Sequence, residues 1–317
     1  MASHARILAS RIVGTPLPGA TGSAAARNVY MLHGLLGSSR NWTGFATALA
    51  GNEVPDTRFT LLDLRNHGAS KGFPAPHTLD ACVDDVLATA AAADAPPTAL
   101  VGHSLGGKVL LQLASRREEV AALAARTPTG RLPLIVLDSL PGARSAVSAT
   151  AAASDSVARV LRVVEAARSH VPSRAWVMER CAAEGIERGV AAWLASCVSR
   201  LDGNVHGEAG PRSEALAWAF DPDTAAALYA SYLATNLWDV LLTGAPPGVD
   251  LHVVVASKSS RWRDADTAAD MAAAKAAAAA RRPGTAGAVT FTTIDAGHWV
   301  HVDNPSALRT ILGGLLR

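Results

Sequence analysis

Residues 99–108 read Ala-Leu-Val-Gly-His-Ser-Leu-Gly-Gly-Lys, an apolar run that leads into the pattern Gly-x-Ser-x-Gly. The run predicts a short buried strand, and the residues from Leu105 onward predict a helix. A serine at so sharp a strand-to-helix turn adopts strained backbone angles, so its neighbours must be small. The turn lifts the hydroxyl above the sheet and points the backbone N–H of Leu105 into the same space. We therefore predict that Ser104 is a nucleophile rather than an ordinary turn serine.

On both sides of this turn, short apolar runs alternate with longer helical patterns. We predict strands at Ile7–Val13, Val29–Leu32, Thr60–Asp63, Ala99–Gly102, Leu134–Asp138, Leu251–Ala256 and Val289–Ile294. We predict helices at Asn41–Ala50, Thr78–Ala93, Leu105–Arg117, Ala268–Ala280 and Ser306–Leu316. Continuously apolar strands that alternate with helices indicate an α/β fold, in which a mostly parallel sheet carries helices on both faces.

One block interrupts this alternation. From residue 141 to residue 248 helical patterns dominate and strand patterns are almost absent. We interpret the block as a helical cap inserted after the sixth strand, between the two parts of a core at residues 1–140 and 249–317. The block contains four of the seven tryptophans, namely Trp176, Trp193, Trp218 and Trp238. We expect them to pack between helices rather than to form a substrate cage, leave open that some line the acyl pocket, and assign none of them to binding.

The strand at Val29–Leu32 leads into His33-Gly34-Leu35-Leu36-Gly37-Ser38. A loop of this kind donates a backbone N–H to an oxyanion hole when a serine occupies a strand-to-helix turn like that of Ser104. We predict that the N–H groups of Leu35 and Leu105 form this hole. His33 is expected to shape the loop through hydrogen bonds rather than to take part in catalysis.

The sequence Ala296-Gly297-His298-Trp299 follows the last predicted strand. A chain order of serine, acid and histidine places the histidine on such a loop. His298 would take the proton of Ser104 and later return one to the leaving group. His301 is a nearby competitor, but it has no adjacent glycine and is expected to shape the loop.

Two carboxylates could orient the ring of His298. Asp138 ends a predicted strand at the lip of the sheet, from which it can reach the ring and fix its tautomer. Asp264 is the first carboxylate after the strand that follows the inserted block. We predict that Asp138 is the acid and keep Asp264 as the alternative. If Asp138 is not the acid, we expect its side chain to form structural hydrogen bonds at the hinge of the cap. Asp63 precedes Ser104 in the chain, which does not fit the order serine, acid, histidine, so its carboxylate is expected to have a structural role.

Composition excludes several classes of partner. Of the 317 residues 49% are hydrophobic and 18% are charged, as in globular proteins with a large core, and the net charge of +2 favours neither nucleic acid nor an anionic membrane. The three cysteines, Cys82, Cys181 and Cys197, suggest buried thiols in a reducing compartment rather than disulfides or a zinc site. No apolar run suits a membrane span, and the first strand leaves no room for a signal peptide. We expect an intracellular, soluble protein of the cytosol, or of a mitochondrion or plastid after loss of a transit peptide. The oligomeric state is left open.

Taken together, these motifs resemble the abhydrolase domain-containing protein 11 family and its bacterial and plant esterase relatives. The resemblance rests on His33–Trp42, Asp63–Gly68, Gly102–Lys108 and Gly297–His301, and three further stretches look most like the plant and green-algal branch, namely Leu137–Gly142, Trp218–Asp221 and His301–Pro305. It implies the α/β-hydrolase fold and a serine hydrolase that cleaves carboxylic esters or acyl thioesters without a cofactor or metal. The family lacks an acid after the strand that follows the cap and uses the aspartate that ends the strand before it. The resemblance therefore implies that Asp138 is the acid. The long cap and the extra residues 121–133 depart from the compact bacterial pattern, so the resemblance does not extend to the substrate.

Two other functions are compatible with the same motifs. A lyase or a cofactor-free haloperoxidase uses the same fold, since one scaffold hosts many chemistries. A sensor that binds a small apolar ligand under the cap, with slow or vestigial hydrolysis, would retain all three residues. Accumulation of an acyl-enzyme with activated esters would argue against the first alternative. Single-turnover kinetics with ligand-dependent stabilisation would favour the second.

Overall fold

A seven-stranded sheet forms the centre of the computed structural model, which describes residues 6–15, 27–144, 156–200, 215–282 and 286–317. Its strands are β1 (Ser10–Gly14), β2 (Arg27–Leu32), β3 (Thr57–Leu62), β4 (Ala99–His103), β5 (Leu132–Leu137), β8 (Val249–Ala256) and β9 (Val289–Ile294). Their order across the sheet is β1-β3-β2-β4-β5-β8-β9. β1 pairs antiparallel to β3, and every other pair is parallel. The predicted α/β fold with a mostly parallel sheet is confirmed.

Helices cover both faces of this sheet. They are α1 (Arg40–Asn52), α2 (Leu79–Ala92), α3 (Leu105–Ser115), α4 (Arg117–Ala125), α5 (Ser156–Ala166), α6 (Arg174–Ala183), α7 (Arg188–Ser196), α8 (Pro222–Ala234), α9 (Trp238–Thr243), α10 (Ala265–Ala280), α11 (Val300–Asp303) and α12 (Pro305–Leu316). None of these helices combines the length and the apolar character that crossing a bilayer requires. Successive residues of β2 enter opposite cores, with Tyr30 and Leu32 under α2 and α3 and with Val29 and Met31 under α1 and α12. Because both faces are covered, nearly all residues of the central strands β2, β4 and β5 are buried, whereas the edge strands β1 and β9 carry exposed polar residues.

The predicted helix Leu105–Arg117 ends two residues earlier in the structure, and a second helix, α4, which was not predicted, begins at Arg117. α3 ends at Ser115, and Arg116 has φ −85° and ψ 73°, which lies outside the helical region. The Arg116 guanidinium forms ion pairs with Asp84 of α2, at 2.5 Å, and with Glu119 of α4, at 3.0 Å. No glycine or proline separates the two helices, so the sequence carries little signal that a new helix starts directly after the first.

The chain between β5 and β8, residues 141–248, is here called the inserted segment, and its residues 141–144, 156–200 and 215–248 are described. It contains α5 to α9 and a small core of its own around Val163, Leu194 and Trp218. The described part of the segment is mainly helical, and its two strands, β6 (Val198–Arg200) and β7 (Leu216–Trp218), are short and form an antiparallel pair that was not predicted. Counted along the described residues, the strand before the segment is the fifth rather than the sixth, since only one antiparallel strand precedes β2.

Two buried polar side chains of the core connect the inserted segment to the sheet layer. The ammonium of Lys108, in α3, donates to the carbonyl oxygens of Gly142 and Tyr232 at 2.8 and 2.7 Å. The Asn66 side chain donates to the hydroxyl of Thr224, at the start of α8, at 2.8 Å. Burial lowers the pKa of Lys108 to about 7, because the charged ammonium is less stable away from water. The segment is therefore attached to the core, near its start and through α8, by satisfied polar groups.

Candidate active site

The residues predicted to be catalytic lie at one edge of the sheet. Ser104 follows β4, Asp138 follows β5 and His298 lies four residues beyond β9. β4 and β5 are neighbours, and β8 alone separates β5 from β9. Because parallel strands end at the same edge, these three positions converge although they are widely separated in the sequence.

Ser104 occupies a strained turn between β4 and α3. Its φ of 53° lies in the left-handed region, which residues with a side chain rarely adopt. Its N–H donates to the carbonyl of Leu137 at 3.0 Å. A Cβ added to Gly102 would lie 2.4 Å from the carbonyl oxygen of Gly106, and one added to Gly106 would lie 2.6 Å from that of Leu32. Only glycine fits at these two positions, so close packing of β4, α3 and β2 holds the serine in place.

A continuous chain of hydrogen bonds connects the three side chains. His298 Nε2 lies 3.1 Å from Ser104 Oγ, and His298 Nδ1 lies 2.6 Å from Asp138 Oδ2. The other carboxylate oxygen of Asp138 accepts from the backbone N–H of Ala256 at 3.1 Å and from the indole N–H of Trp262 at 2.6 Å. Every oxygen of the buried carboxylate is therefore occupied, and the ring is aligned between acid and hydroxyl.

The alternative acid lies elsewhere. Asp264 is the N-cap residue of α10, where its side chain accepts from the N–H of Thr267 at 2.9 Å. This capping role satisfies the carboxylate locally, and the structure brings Asp138 rather than Asp264 to the ring of His298.

The charge states suit proton transfer from the serine. Burial acts to raise the pKa of Asp138, but hydrogen bonds from His298, Trp262 and the Ala256 N–H outweigh it and hold the pKa below its usual range. Burial, followed by the nearby charge of Arg261, lowers the pKa of His298, although Asp138 opposes both. At neutral pH the carboxylate is thus ionised and the ring is neutral. With Nδ1–H directed at Asp138, Nε2 has a free lone pair facing the hydroxyl.

Two buried histidines shape the loop after β2. His33 Nδ1 donates to the carbonyl of Gly34 at 2.8 Å, and its Nε2 accepts from the N–H of Leu64 at 3.0 Å. The Nε2 of His67 accepts from the N–H of Leu36 at 3.3 Å. The N–H of the intervening Leu35 has no acceptor among the described residues. The shaping role expected of His33 is therefore visible, and His67 shares it.

The N–H of Leu105 is similarly unoccupied within the described part of the chain. Leu105 is the first residue of α3, and the first N–H groups of a helix have no acceptor inside it. Leu35 and Leu105 both border the narrow space beside Ser104. Two backbone donors are thus available at the position where the oxyanion hole is predicted.

The turn 63–68 is a polar scaffold beneath this loop. Asp63 accepts from the N–H groups of Ser39 and Ala69 at 2.6 and 2.8 Å. Arg65 and Asp85 form a fully buried ion pair at 2.7 Å. These contacts agree with the structural role expected of Asp63, since its carboxylate binds backbone donors of two loops and no catalytic group.

Two further histidines support His298: His301, which was expected to shape the loop, and His103, whose role was not predicted. His103 Nε2 donates to the backbone carbonyl of His298 at 2.8 Å, and the ring centres lie 4.7 Å apart. His301 is buried against Trp42, with ring centres 4.6 Å apart. His103 occupies a variable position of the pattern Gly-x-Ser-x-Gly, so its type carried no signal. Both rings pack against the loop that presents His298.

A cavity of about 280 Å³ opens above Ser104. Its wall is largely apolar, with contributions from the core and from the inserted segment: Leu35, Leu36, Trp42, Val157, Val160, Val190, Trp193 and Trp299. Trp193 of α7 packs against Trp299, with ring centres 4.5 Å apart. Trp193 therefore does more than pack between helices, because α7 faces the site and the indole lines the cavity. Within the described ranges, no group of histidine, cysteine or acidic residues is arranged to hold a metal ion.

The buried histidines make stability depend on pH. Burial lowers the pKa of His67 to about 3 and that of His301 to about 4, from an ordinary value of 6.5. Below pH 6.5 these histidines bind protons in the unfolded chain but stay neutral in the folded chain. The free energy of unfolding therefore falls as the pH falls. At pH 5 each of these two residues is expected to cost about 2 kcal/mol relative to pH 7. Urea unfolding at pH 7 and pH 5 measures this difference.

A matched variant identifies the source of that difference. His67→Gln should lose about 2 kcal/mol of the pH dependence, because the amide does not titrate. Equal free energies of unfolding at pH 7 and pH 5 in the unmodified protein would contradict the assignment of neutral histidines.

Comparison with known proteins agrees with this architecture. Residues 29–310 match the alpha/beta hydrolase family. A mouse protein named sn-1-specific diacylglycerol lipase ABHD11 is 33% identical over 119 residues, which are 35% of this chain and 36% of that protein. Lipase LipV of Mycobacterium tuberculosis is 33% identical over 108 residues, 34% of this chain and 39% of that lipase. The matched stretches thus span between a third and two fifths of these relatives.

Solved structures share the fold over almost the whole chain. An esterase from a marine microorganism has a TM-score of 0.65 at 16% identity, and the match covers 96% of this chain and 98% of the esterase. A thioesterase domain from the curacin biosynthetic pathway has a TM-score of 0.58 at 17% identity, covering 97% of this chain and 99% of that domain. At such identities the likeness concerns the arrangement of strands and helices alone.

Proposed function

The chain belongs to the alpha/beta hydrolase family, and we propose that it is a serine hydrolase that cleaves carboxylic esters or acyl thioesters through an acyl-enzyme on Ser104. One observation carries the proposal, namely the unbroken hydrogen-bond chain from Ser104 through His298 to Asp138 at the floor of an apolar cavity. A neutral imidazole between a hydroxyl and a buried carboxylate is the arrangement that activates a serine.

In the first step, Ser104 Oγ attacks the acyl carbon while its proton passes to His298 Nε2. The imidazolium that forms is stabilised by Asp138, whose carboxylate stays ionised because Trp262 and the Ala256 N–H also donate to it. The Nδ1–H of His298 is held on Asp138 throughout, so Nε2 is the only ring atom that exchanges a proton.

The carbonyl oxygen becomes an oxyanion as the tetrahedral intermediate forms. The unoccupied N–H groups of Leu35 and Leu105 would donate to it, and fixed backbone donors of this kind contribute roughly 3 kcal/mol each. The intermediate then collapses, and the bond to the alcohol or thiol breaks as the leaving group takes the proton from His298. In the second half-reaction water gives a proton to the same nitrogen and attacks the acyl carbon. The bond to Ser104 Oγ then breaks, Oγ takes the proton back from His298, and the acid leaves. No cofactor takes part.

We also propose that the inserted segment, residues 141–248, is a cap over a core formed by residues 1–140 and 249–317. Val157 and Val160 of α5 and Val190 and Trp193 of α7 form much of the cavity wall opposite the sheet. A substrate must therefore fit between this segment and the loop after β2, and the segment would determine which acyl groups reach Ser104. The names of the mouse lipase and of the thioesterase domain fit the two bond types proposed here.

The direct test is detection of the acyl-enzyme. With p-nitrophenyl esters from acetate to octanoate we expect a burst of p-nitrophenolate, followed by slower turnover. Acid-quenched samples should show one added acyl mass per chain, on the peptide that contains Ser104. A fluorophosphonate should label the same peptide in native protein but not in heat-unfolded protein. Absence of both adduct and turnover in folded protein would contradict the proposal and favour a ligand sensor.

A further inference from the structure

Arg261 extends into the space where the substrate of the proposed reaction must lie. It belongs to a single 3₁₀ turn, Ser260–Trp262, between β8 and α10. Its half-buried side chain lines both the main cavity and the narrower pocket beside it, and Ser104 borders both spaces. A substrate with its acyl carbon at Ser104 is therefore adjacent to a guanidinium group.

This guanidinium has no carboxylate partner among the described residues, and no aspartate or glutamate lines either space. The other cation at the cavity, Lys258, is exposed and pairs with Asp295 at 3.0 Å. Asp138, the carboxylate of the candidate site, already accepts from Trp262, Ala256 and His298. A cation removed in part from water without a counter-ion is costly, and an anion supplied from outside would remove that cost.

The turn that carries Arg261 is held in place by the active site itself. The indole N–H of the next residue, Trp262, donates to Asp138 at 2.6 Å. The N–H of Arg263 donates back to the carbonyl of Ser260 at 3.2 Å and closes the turn. Arg261 is thus presented from a fixed backbone, which lowers the entropy lost when its side chain binds a ligand.

We infer that Arg261 binds an anionic group of the substrate, so that the preferred esters or thioesters carry a carboxylate close to the bond that is cleaved. This inference rests on the proposed function and names its substrate class. A planar guanidinium forms two parallel hydrogen bonds with a carboxylate, a geometry that neither lysine nor a neutral amide reproduces. The apolar remainder of the wall would accommodate the carbon chain between the carboxylate and the ester.

A bound carboxylate would also act on the catalytic base. After burial, the charge of Arg261 is the largest influence that lowers the pKa of His298, and it also lowers that of His103. Lys258 is balanced by Asp295, and the charges of Asp138 and Asp303 oppose the effect on the pKa of His298. An anion on Arg261 would offset this field and make His298 a stronger base when the preferred substrate is in place.

Matched ester pairs test the inference. For the acyl side, the pair is the mono-4-methylumbelliferyl ester of adipate and the same compound with its free carboxylate methylated. For the leaving-group side, the pair is 3-(hexanoyloxy)benzoate and its methyl ester. We expect the protein to prefer the carboxylate in at least one pair by 10-fold or more in kcat/KM, and the pair that shows it locates the anion.

Three variants test whether Arg261 causes the preference for the carboxylate substrate. Arg261→Gln should lower kcat/KM for the preferred carboxylate 10- to 100-fold and change that for its methyl ester less than 3-fold. Arg261→Lys should retain part of the preference. Lys258→Gln removes a balanced charge from the same cavity and should alter neither substrate more than 2-fold. With the methyl ester, the acidic limb of the pH–rate profile should move to higher pH in Arg261→Gln, since a cation that lowers the pKa of His298 is gone.

The outcomes separate the two proposals. Hydrolysis of both members of each pair at equal rates, or an equal loss on both in folded Arg261→Gln, would overturn the role of Arg261 and leave the serine hydrolase intact. Hydrolysis of no ester at all would overturn the proposed function and this inference with it.

Discussion

Ser104→Ala is expected to lower kcat for p-nitrophenyl butyrate by about a millionfold, to the limit of detection. The reason is that Oγ supplies the bond to the acyl carbon, and no other hydroxyl lies within hydrogen-bond distance of His298 in the described structure. The acyl adduct and the fluorophosphonate label should disappear together. Steady-state hydrolysis and intact-mass measurement on the purified variant check this result. Retention of more than one per cent of the activity would place the nucleophile elsewhere.

A second variant at the same position shows whether the loss is chemical rather than structural. Alanine keeps the Cβ that makes a φ of 53° unfavourable, so the stability of Ser104→Ala should equal that of the unmodified protein. Ser104→Gly lacks the Cβ and should be about 1 kcal/mol more stable than Ser104→Ala in urea unfolding, while it is equally inactive. Equal stability of the two variants would mean that the turn stores no strain.

Much of this site could be predicted because it depends on local patterns at strand ends. The apolar runs before Ser104 and before Asp138 are short and continuous, which is how strands buried on both faces read in a sequence. Once the strands are parallel, their carboxyl ends must meet at one edge, so distant residues can be assigned to one site without knowing their coordinates.

The supporting contacts could not be predicted, because they depend on partners far away in the chain. Trp262 binds Asp138 across 124 positions, and His103 binds the carbonyl of His298 across 195. No local periodicity encodes such pairs, since they arise only after β5, β8 and β9 have packed side by side. The unpaired state of Arg261 could not be predicted either, because only the folded structure shows that no carboxylate of the described residues lies beside its guanidinium.

Asp138→Asn is expected to lower kcat for activated esters by about 10⁴-fold while the fold is retained. The hydrogen-bond donors around position 138 determine which way the side-chain amide of the variant points. The N–H groups of Ala256 and Trp262 both donate to Oδ1, so the amide oxygen must face them and the amide NH₂ must face His298 Nδ1. His298 would then carry its proton on Nε2 and could not accept the proton of Ser104. Single-turnover kinetics, with circular dichroism to verify folding, measure the loss.

Asp264→Asn is the matched control, with the same change of charge and almost the same shape at the competing position. Asparagine is as good an N-cap as aspartate, so α10 should persist and kcat should change less than 3-fold. The pair of variants therefore isolates the acid that orients His298. If Asp264→Asn lost the activity and Asp138→Asn kept it, the buried carboxylate beside Trp262 would be a structural group, and the hydrogen bond of 2.6 Å to the ring would not be the one that catalysis uses.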